Sequence, residues 1–295
     1  MLKNKIEIVQ GEDFQLTLKE IVKIEGWSLY SREKCSLEIL PAPADIGLVF
    51  KVGGEEIKVC YKYIDFEERG HTTSLKKGNL EIKTVEHLLA ALWGSGIDNA
   101  FINLSKPFIP FIDASAEYYV KRIQESGIEK LGKKRKYLRF KQRHKFTEKG
   151  DDRYAIFSPA KELKIDSTTS FDNIIGTQRS IYKWNRQSFK KEIAWARSFL
   201  RTELDHQGNV WENIRKNFRS LPSNPLYSPI VVFTKDKYLT PLKTQDELAR
   251  HKILDFFGDV ALLGVRVEAS IQLFKPGHRF TRQIIKEIMS SSKNK

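Results

Sequence analysis

Apolar and polar residues in the first part of the chain alternate with the two-residue period of half-buried strands. The segments are Q-L-T-L-K-E-I-V-K-I-E at 15–25, K-C-S-L-E-I-L at 34–40 and G-L-V-F-K-V at 47–52, broken by Pro or Gly. The period then changes. Val85, Leu88, Leu89 and Leu92 recur at i, i+3, i+4 and i+7, which predicts a helix over 84–94 with Thr84 as its N-cap. A strand at 98–104 and a helix from 115 to Gly127 follow, and the charged run L-G-K-K-R-K at 131–136 reads as a linker. Beyond it the pattern predicts strands at 136–146, 153–158, 162–169, 229–233 and 265–274, with helices at 188–199, 206–218, 246–263 and 279–290.

The second part repeats the first. Sliding one onto the other by 169 positions pairs A-F-I-N-L-S-K-P (100–107) with A-S-I-Q-L-F-K-P (269–276) and sets Glu86 against Asp255. In both copies Ala, Ile and Leu alternate along one strand face. The match in element order around them predicts an α+β fold of two pseudo-repeated halves, 1–130 and 131–295. Each half is expected to be a small β-sheet packed on helices, with the active site in the cleft between them.

Candidate chemistry concentrates on two of the predicted helices. His251 and Asp255 stand four residues apart and so share one helix face, which Gly258 and Asp259 continue. Leu254, Phe257, Val260 and Ala261 form the opposite, apolar stripe. On the earlier helix Glu86 and His87 lie off the apolar stripe, and the neighbours of His87 one and two turns on are Ala90, Ala91 and Gly94. The small residues on both helices predict a surface cleared for something that approaches closely. His-x3-Asp alone is a weak metal signal, since such a pair occurs by chance on many helices as an exposed ion pair. Once the repeat brings the helices to facing positions, two imidazoles and a carboxylate make a three-ligand set that suits zinc and leaves a coordination position open. Glu86, next to a ligand, could then serve as a base. His278, after Pro276 and Gly277, is a candidate proton donor or a simple helix cap.

Composition narrows the class. Of the 295 residues 40% are apolar, with 18 Phe, 10 Tyr and 5 Trp, enough for a real core and too much for a disordered chain. Apolar runs such as 229–233 and 261–265 are far short of the ~20 residues that span a bilayer, and the N-terminus has no secretory apolar region. Two cysteines, Cys35 and Cys60, support neither a disulfide framework nor a thiolate zinc site, so a reducing, cytoplasmic enzyme is expected. Lys plus Arg number 51 against 37 acids, a formal charge of +14 that favours anionic partners. A basic nucleic-acid-binding protein would use that charge. It would leave Glu86, His87, His251, Asp255 and His278 without a reason to occur together.

With these residues in place, the chain resembles the UDP-3-O-acyl-N-acetylglucosamine deacetylase family, the zinc amidases of lipid A biosynthesis. T-V-E-H-L-L-A-A-L-W-G-S-G-I-D-N-A at 84–100, A-R-S-F at 196–199, A-R-H-K-I-L-D-F-F-G-D at 249–259 and K-P-G-H at 275–278 carry the resemblance. I-P-F-I-D-A-S-A at 109–116 and L-P-A-P-A at 40–44 match in part. The resemblance implies zinc on His87, His251 and Asp255, with iron(II) suiting the same ligands. It implies Glu86 as general base toward the acetamide carbonyl and His278 as the charged group that meets the oxyanion and protonates the leaving amine. Asp259 would orient His278, Lys252 would meet phosphate or the substrate, Ser198 would polarise the carbonyl and Phe199 would lie near the sugar. It also implies an acylated UDP-amino sugar as substrate and an insert near 200–228 that passes the acyl chain. A monomer is expected, working against the anionic inner leaflet of the membrane.

Departures from the family pattern fall on the residues that read the substrate. Tyr30 stands in W-S-L-Y-S (27–31) where a substrate-contacting histidine is usual. S-T-T-S-F-D-N (167–173) replaces the stretch whose aromatic packs on uracil, so either Phe171 serves in a shifted register or the base contact is missing. Arg279 and Phe280 follow His278 in place of smaller or polar residues, and L-R-T-E follows Phe199. A paralogous deacetylase of another N-acetylated sugar conjugate is the alternative these changes allow.

Overall fold

The computed structural model describes residues 2–29, 31, 33–67, 72–202 and 228–292. The chain opens with β1 (Ile6–Leu18) and β2 (Val22–Ser28). The single strand expected over 15–25 is thus two strands. Lys19 and Glu20 turn their amides onto the carbonyls of Gly127 and Ser126 and leave the β1 ladder. The strands β3 (Lys34–Pro41), β4 (Leu48–Val52) and β5 (Glu55–Lys58) follow, then a small ribbon of β6 (Leu75–Lys77) and β7 (Leu80–Ile82). Next come α1 (Glu86–Gly94), β8 (Ala100–Leu104), β9 (Pro110–Phe111) and α2 (Glu117–Glu125).

The second half supplies β10 (Ile128–Phe140), β11 (His144–Thr147), β12 (Tyr154–Pro159), β13 (Lys164–Ser170) and β14 (Thr177–Lys183). A two-strand parallel pair, β15 (Phe199–Arg201) and β16 (Val231–Phe233), precedes α3 (Glu247–Val260), β17 (Arg266–Phe274) and α4 (His278–Ser292).

The two main sheets are built to one plan. β8 lies between antiparallel β3 and parallel β4, and β17 between antiparallel β12 and parallel β13. β5 extends β4 as β14 extends β13, and β2 extends β3 as β11 extends β12. Register follows as well: Pro41 faces Ala100 in one sheet and Pro159 faces Ala269 in the other. The 169-residue shift is therefore a repeat of strand pairing as well as of sequence.

Further expectations are corrected. The supposed linker at 131–136 is the middle of β10, which pairs antiparallel with β1 through two register shifts. Lys133 and Lys136 are exposed, the ammonium groups of Lys130 and Lys134 lie 4.0 and 4.2 Å from the centre of the Phe14 ring, and Arg135 turns inward. A solvated ribbon face can carry charges that look like a linker while its backbone runs as a strand. The 130/131 position thus falls inside a strand, and β1 belongs to the second sheet. Thr84 is not the N-cap of α1. Its φ is +62°, Val85 holds the cap position with no side-chain bond, and the Val85 amide donates to the Thr73 carbonyl.

The helix expected at 188–199 stops at Ile193, after a capped turn at Arg186–Ser188 and a wider turn at Phe189–Ile193. From there the backbone bonds outward: the Ala194 carbonyl accepts from Ala116, and the Ser198 amide donates to Ala114. The helix expected at 206–218 lies outside the described residues. β14 had no counterpart in the hydrophobic pattern, because two of its three inward residues, Gln178 and Ser180, are polar.

α1 and α3 are buried along nearly their whole length, in one core continuous with both sheets. Asp98, before β8, accepts from Arg135 of β10 and Arg266 of β17, both at 2.8 Å, and locks the halves at the far end of these helices. Among the described residues no helix is long and apolar enough to cross a membrane.

Candidate metal centre and catalytic cleft

The approach of α1 to α3 sets the site. A Cβ on Gly258 would stand 2.1 Å from the Glu86 carbonyl oxygen, so only glycine lets the two backbones touch. The surface cleared on α3 is therefore filled by α1. Gly94 is cleared for a ring of the protein itself, since a Cβ there would meet Phe189 at 2.3 Å. Backbone contact at this point brings the first turn of α1 against the His251–Asp255 turn of α3.

One ligand atom each from His87, His251 and Asp255 lies within 4.8 Å of the others. Asp255 Oδ1 is 3.7 Å from His87 Nε2 and 3.3 Å from His251 Nε2, and the two imidazoles meet edge to face. His251 Nδ1 is 3.1 Å from the Ala196 carbonyl, so it donates there and leaves Nε2 as a bare lone pair. Asp255 Oδ2 accepts from Lys252 Nζ at 2.8 Å. Oδ1 is buried and, among the described residues, has no hydrogen-bond partner. Two nitrogen donors and an unpartnered carboxylate oxygen converging on one point fit a divalent cation, zinc or iron(II).

Protonation states agree with that fit. Burial pushes His251 down to about 3, against the pull of Asp255, so the imidazole is neutral. Burial alone would raise the Asp255 carboxyl. The Lys252 ammonium and the His278 imidazolium instead hold it well below the usual range. Burial raises Glu86, only partly opposed by His278, His87 and the Thr73 amide that donates to its Oε2 at 2.9 Å. At His278 burial is overcome by the charges of Asp259 and Asp255, which lift it to about 9 and keep an imidazolium at neutral pH. Its Nδ1 lies 3.0 Å from both Asp259 oxygens, and its Nε2 faces Asp255 Oδ2 at 3.6 Å.

Ser198 Oγ stands 3.5 Å from His87 Nε2 and 3.4 Å from His251 Nε2, at the same point of convergence. Phe199 packs edge-on against His251, Lys252 Nζ lies 4.9 Å from the centre of its ring, and Phe171 meets it edge to face. Lys252, expected at phosphate or substrate, is thus engaged with Asp255. Tyr30 lies outside the described residues. A narrow recess beside His87 is lined by Leu29, Thr84, Ile109, Phe111, Ile112 and Tyr119. Thr73 is the residue that sequence reasoning missed. It touches Glu86, Asp259 and His278, yet sits in T-T-S at 72–74 with no periodicity or spacing to mark it.

The sequence profile of the UDP-3-O-acyl N-acetylglycosamine deacetylases matches residues 15–290. A UDP-3-O-acyl-N-acetylglucosamine deacetylase of Pseudomonas entomophila (strain L48) is 31% identical over 284 residues, 94% of this chain and 91% of that protein. The enzyme of the same name from Coxiella burnetii (strain Dugway 5J108-111) is 33% identical over 286 residues, 94% of this chain and 90% of that protein.

Proposed function

The chain belongs to the UDP-3-O-acyl-N-acetylglucosamine deacetylase family, hydrolytic enzymes of lipid A biosynthesis, and on that premise we propose that His87, His251 and Asp255 hold zinc for removal of the N-acetyl group. The observation that carries this is the buried Asp255 Oδ1, unpartnered beside two imidazole nitrogens. When bound, zinc supplies a Lewis acid that polarises the amide carbonyl and makes water acidic enough to attack near neutral pH.

The chain's own residues do the rest. Glu86 takes the proton of the attacking water, its basicity raised by burial toward the working pH. His278, positive and backed by Asp259, stabilises the oxyanion and passes a proton to the leaving amine, so that acetate and a free amino sugar result. Lys252 occupies Asp255 Oδ2 and leaves Oδ1 free for the cation. Ser198 offers a hydroxyl to the substrate carbonyl, and Phe199 and Phe171 form an aromatic wall for the sugar nucleotide. A nucleotide-linked substrate and two unpaired cysteines fit the cytoplasm, and the +14 charge fits peripheral contact of a monomer with an anionic leaflet.

Purified protein is expected to carry about one zinc per chain. His87→Ala and His251→Ala should lower that content, and metal content unchanged in both would remove the ligand assignment. A deacetylation assay with the acylated UDP-sugar, with and without a chelator, tests the reaction itself.

A further inference from the structure

We infer that Thr73 is a positioning residue that sets the base and the acid of this site in one frame, a role that rests on the functions proposed above for Glu86 and His278. It is fully buried. Its amide donates to Glu86 Oε2 at 2.9 Å and its carbonyl accepts from Val85 at the start of α1, so the backbone at 73 fixes both the base and the helix that carries it. Its hydroxyl reaches the other half of the molecule, donating to Asp259 Oδ1 at 2.6 Å. With its hydrogen committed there, the Oγ lone pair faces His278 Nδ1 at 3.1 Å and can only accept.

His278 Nδ1 is therefore surrounded by acceptors, two carboxylate oxygens and one hydroxyl. This keeps the hydrogen on Nδ1 and turns Nε2 toward Asp255 and the reacting centre. α4 reinforces the arrangement: Arg282, one turn after His278 and almost wholly buried, donates to the Thr72 carbonyl at 2.8 Å. The segment that positions the base is thereby gripped by the helix that carries the acid.

Kinetics of Thr73→Val and Thr73→Ser with the acylated UDP-sugar test this, with zinc content and thermal melting measured on each protein. Thr73→Val keeps the amide and the shape but loses the hydroxyl. It should lower kcat about 10–100-fold, the usual cost of losing a group that orients a catalytic side chain, with KM within about twofold and zinc and Tm near wild type. Thr73→Ser should restore most of kcat. In a His278→Ala background the Thr73→Val loss should shrink, because the hydroxyl acts through that imidazole. Wild-type kcat in Thr73→Val, equal loss in the serine variant, a loss that tracks missing zinc, or full additivity with His278→Ala would each overturn the assignment. If the valine variant does not fold, Thr73→Cys decides: kcat between serine and null supports the role, and wild-type kcat ends it. Full activity in His278→Ala alone would instead overturn the acid assignment made above.

Discussion

Glu86 and Asp255 occupy the same place in the two halves, 169 residues apart, and are buried alike at 3% and 4% exposure. They titrate in opposite directions. Glu86 is raised by burial, which His278, His87 and the Thr73 amide oppose only in part, whereas Asp255 has an ammonium at 2.8 Å and three imidazoles within 3.7 Å, the charged His278 among them, and is driven well down. Equal burial with opposite outcome assigns the difference to neighbours, not to depth. The repeat supplies a symmetric frame; on the function proposed above, the unequal surroundings of its two carboxylates would divide the labour between a proton acceptor and a ligand.

The largest test of that division is to break each carboxylate in turn. Asp255→Ala should abolish turnover together with zinc binding, as chelation of the wild-type enzyme should. Glu86→Gln should keep its zinc and lose turnover by ~10² or more, the scale of a lost general base. Metal analysis beside the deacetylation assay separates the two cases. If Glu86→Gln loses zinc as fully as Asp255→Ala does, the two carboxylates share one role and the contrast is wrong.

Next in size is the contact that makes the two carboxylates neighbours. Gly258→Ala puts a methyl group 2.1 Å from the Glu86 carbonyl oxygen, and backbone on both sides leaves nothing soft to yield. We expect a loss of about 1–3 kcal/mol or more, the range for overpacked cores, read as a lower denaturation midpoint and accompanied by weaker zinc binding. An unchanged midpoint would mean that α1 and α3 can part without harm.

The sequence carried the parts of this arrangement that rest on local spacing. The period of α1 and α3, the His251–Asp255–Asp259 face and the repeat in β8 and β17 are all encoded by residues near one another, and the structure has them in those places. The parts that depend on distant partners were not legible. β10 looks like a linker until β1 pairs with it, and β14 hides its strand character behind inward polar residues. Gly258 announces a close approach without saying that the visitor is α1. Thr73 draws all its meaning from Glu86, 13 residues on, and Asp259, 186 residues on. Chain entry into α1 was misjudged for the same reason, since the Val85 amide is satisfied by the Thr73 carbonyl and needs no side-chain cap.

The smallest expected effect concerns His278, whose acidic neighbours overcome its burial, whereas the neighbours of Glu86 oppose burial only in part. With His278 in the role proposed above the imidazolium is the working form, so kcat/KM should be level while pH stays below the His278 pKa and fall about tenfold per unit above it. Asp259 and Asp255 raise that value to about 9, and a cation on Asp255 would offset part of the rise, placing the alkaline limb at or below pH 9. The same shift contributes to stability. A folded-state pKa above the unfolded value of about 6.5 stabilises fully below that pH, and the contribution is lost as pH rises through about 9. Melting of the chelated protein between pH 6 and 10 should therefore show a steeper alkaline decline for wild type than for His278→Ala. Parallel declines would mean that the Asp259 pairing orients the ring without holding its charge, and the contrast with Glu86 would then rest on burial alone.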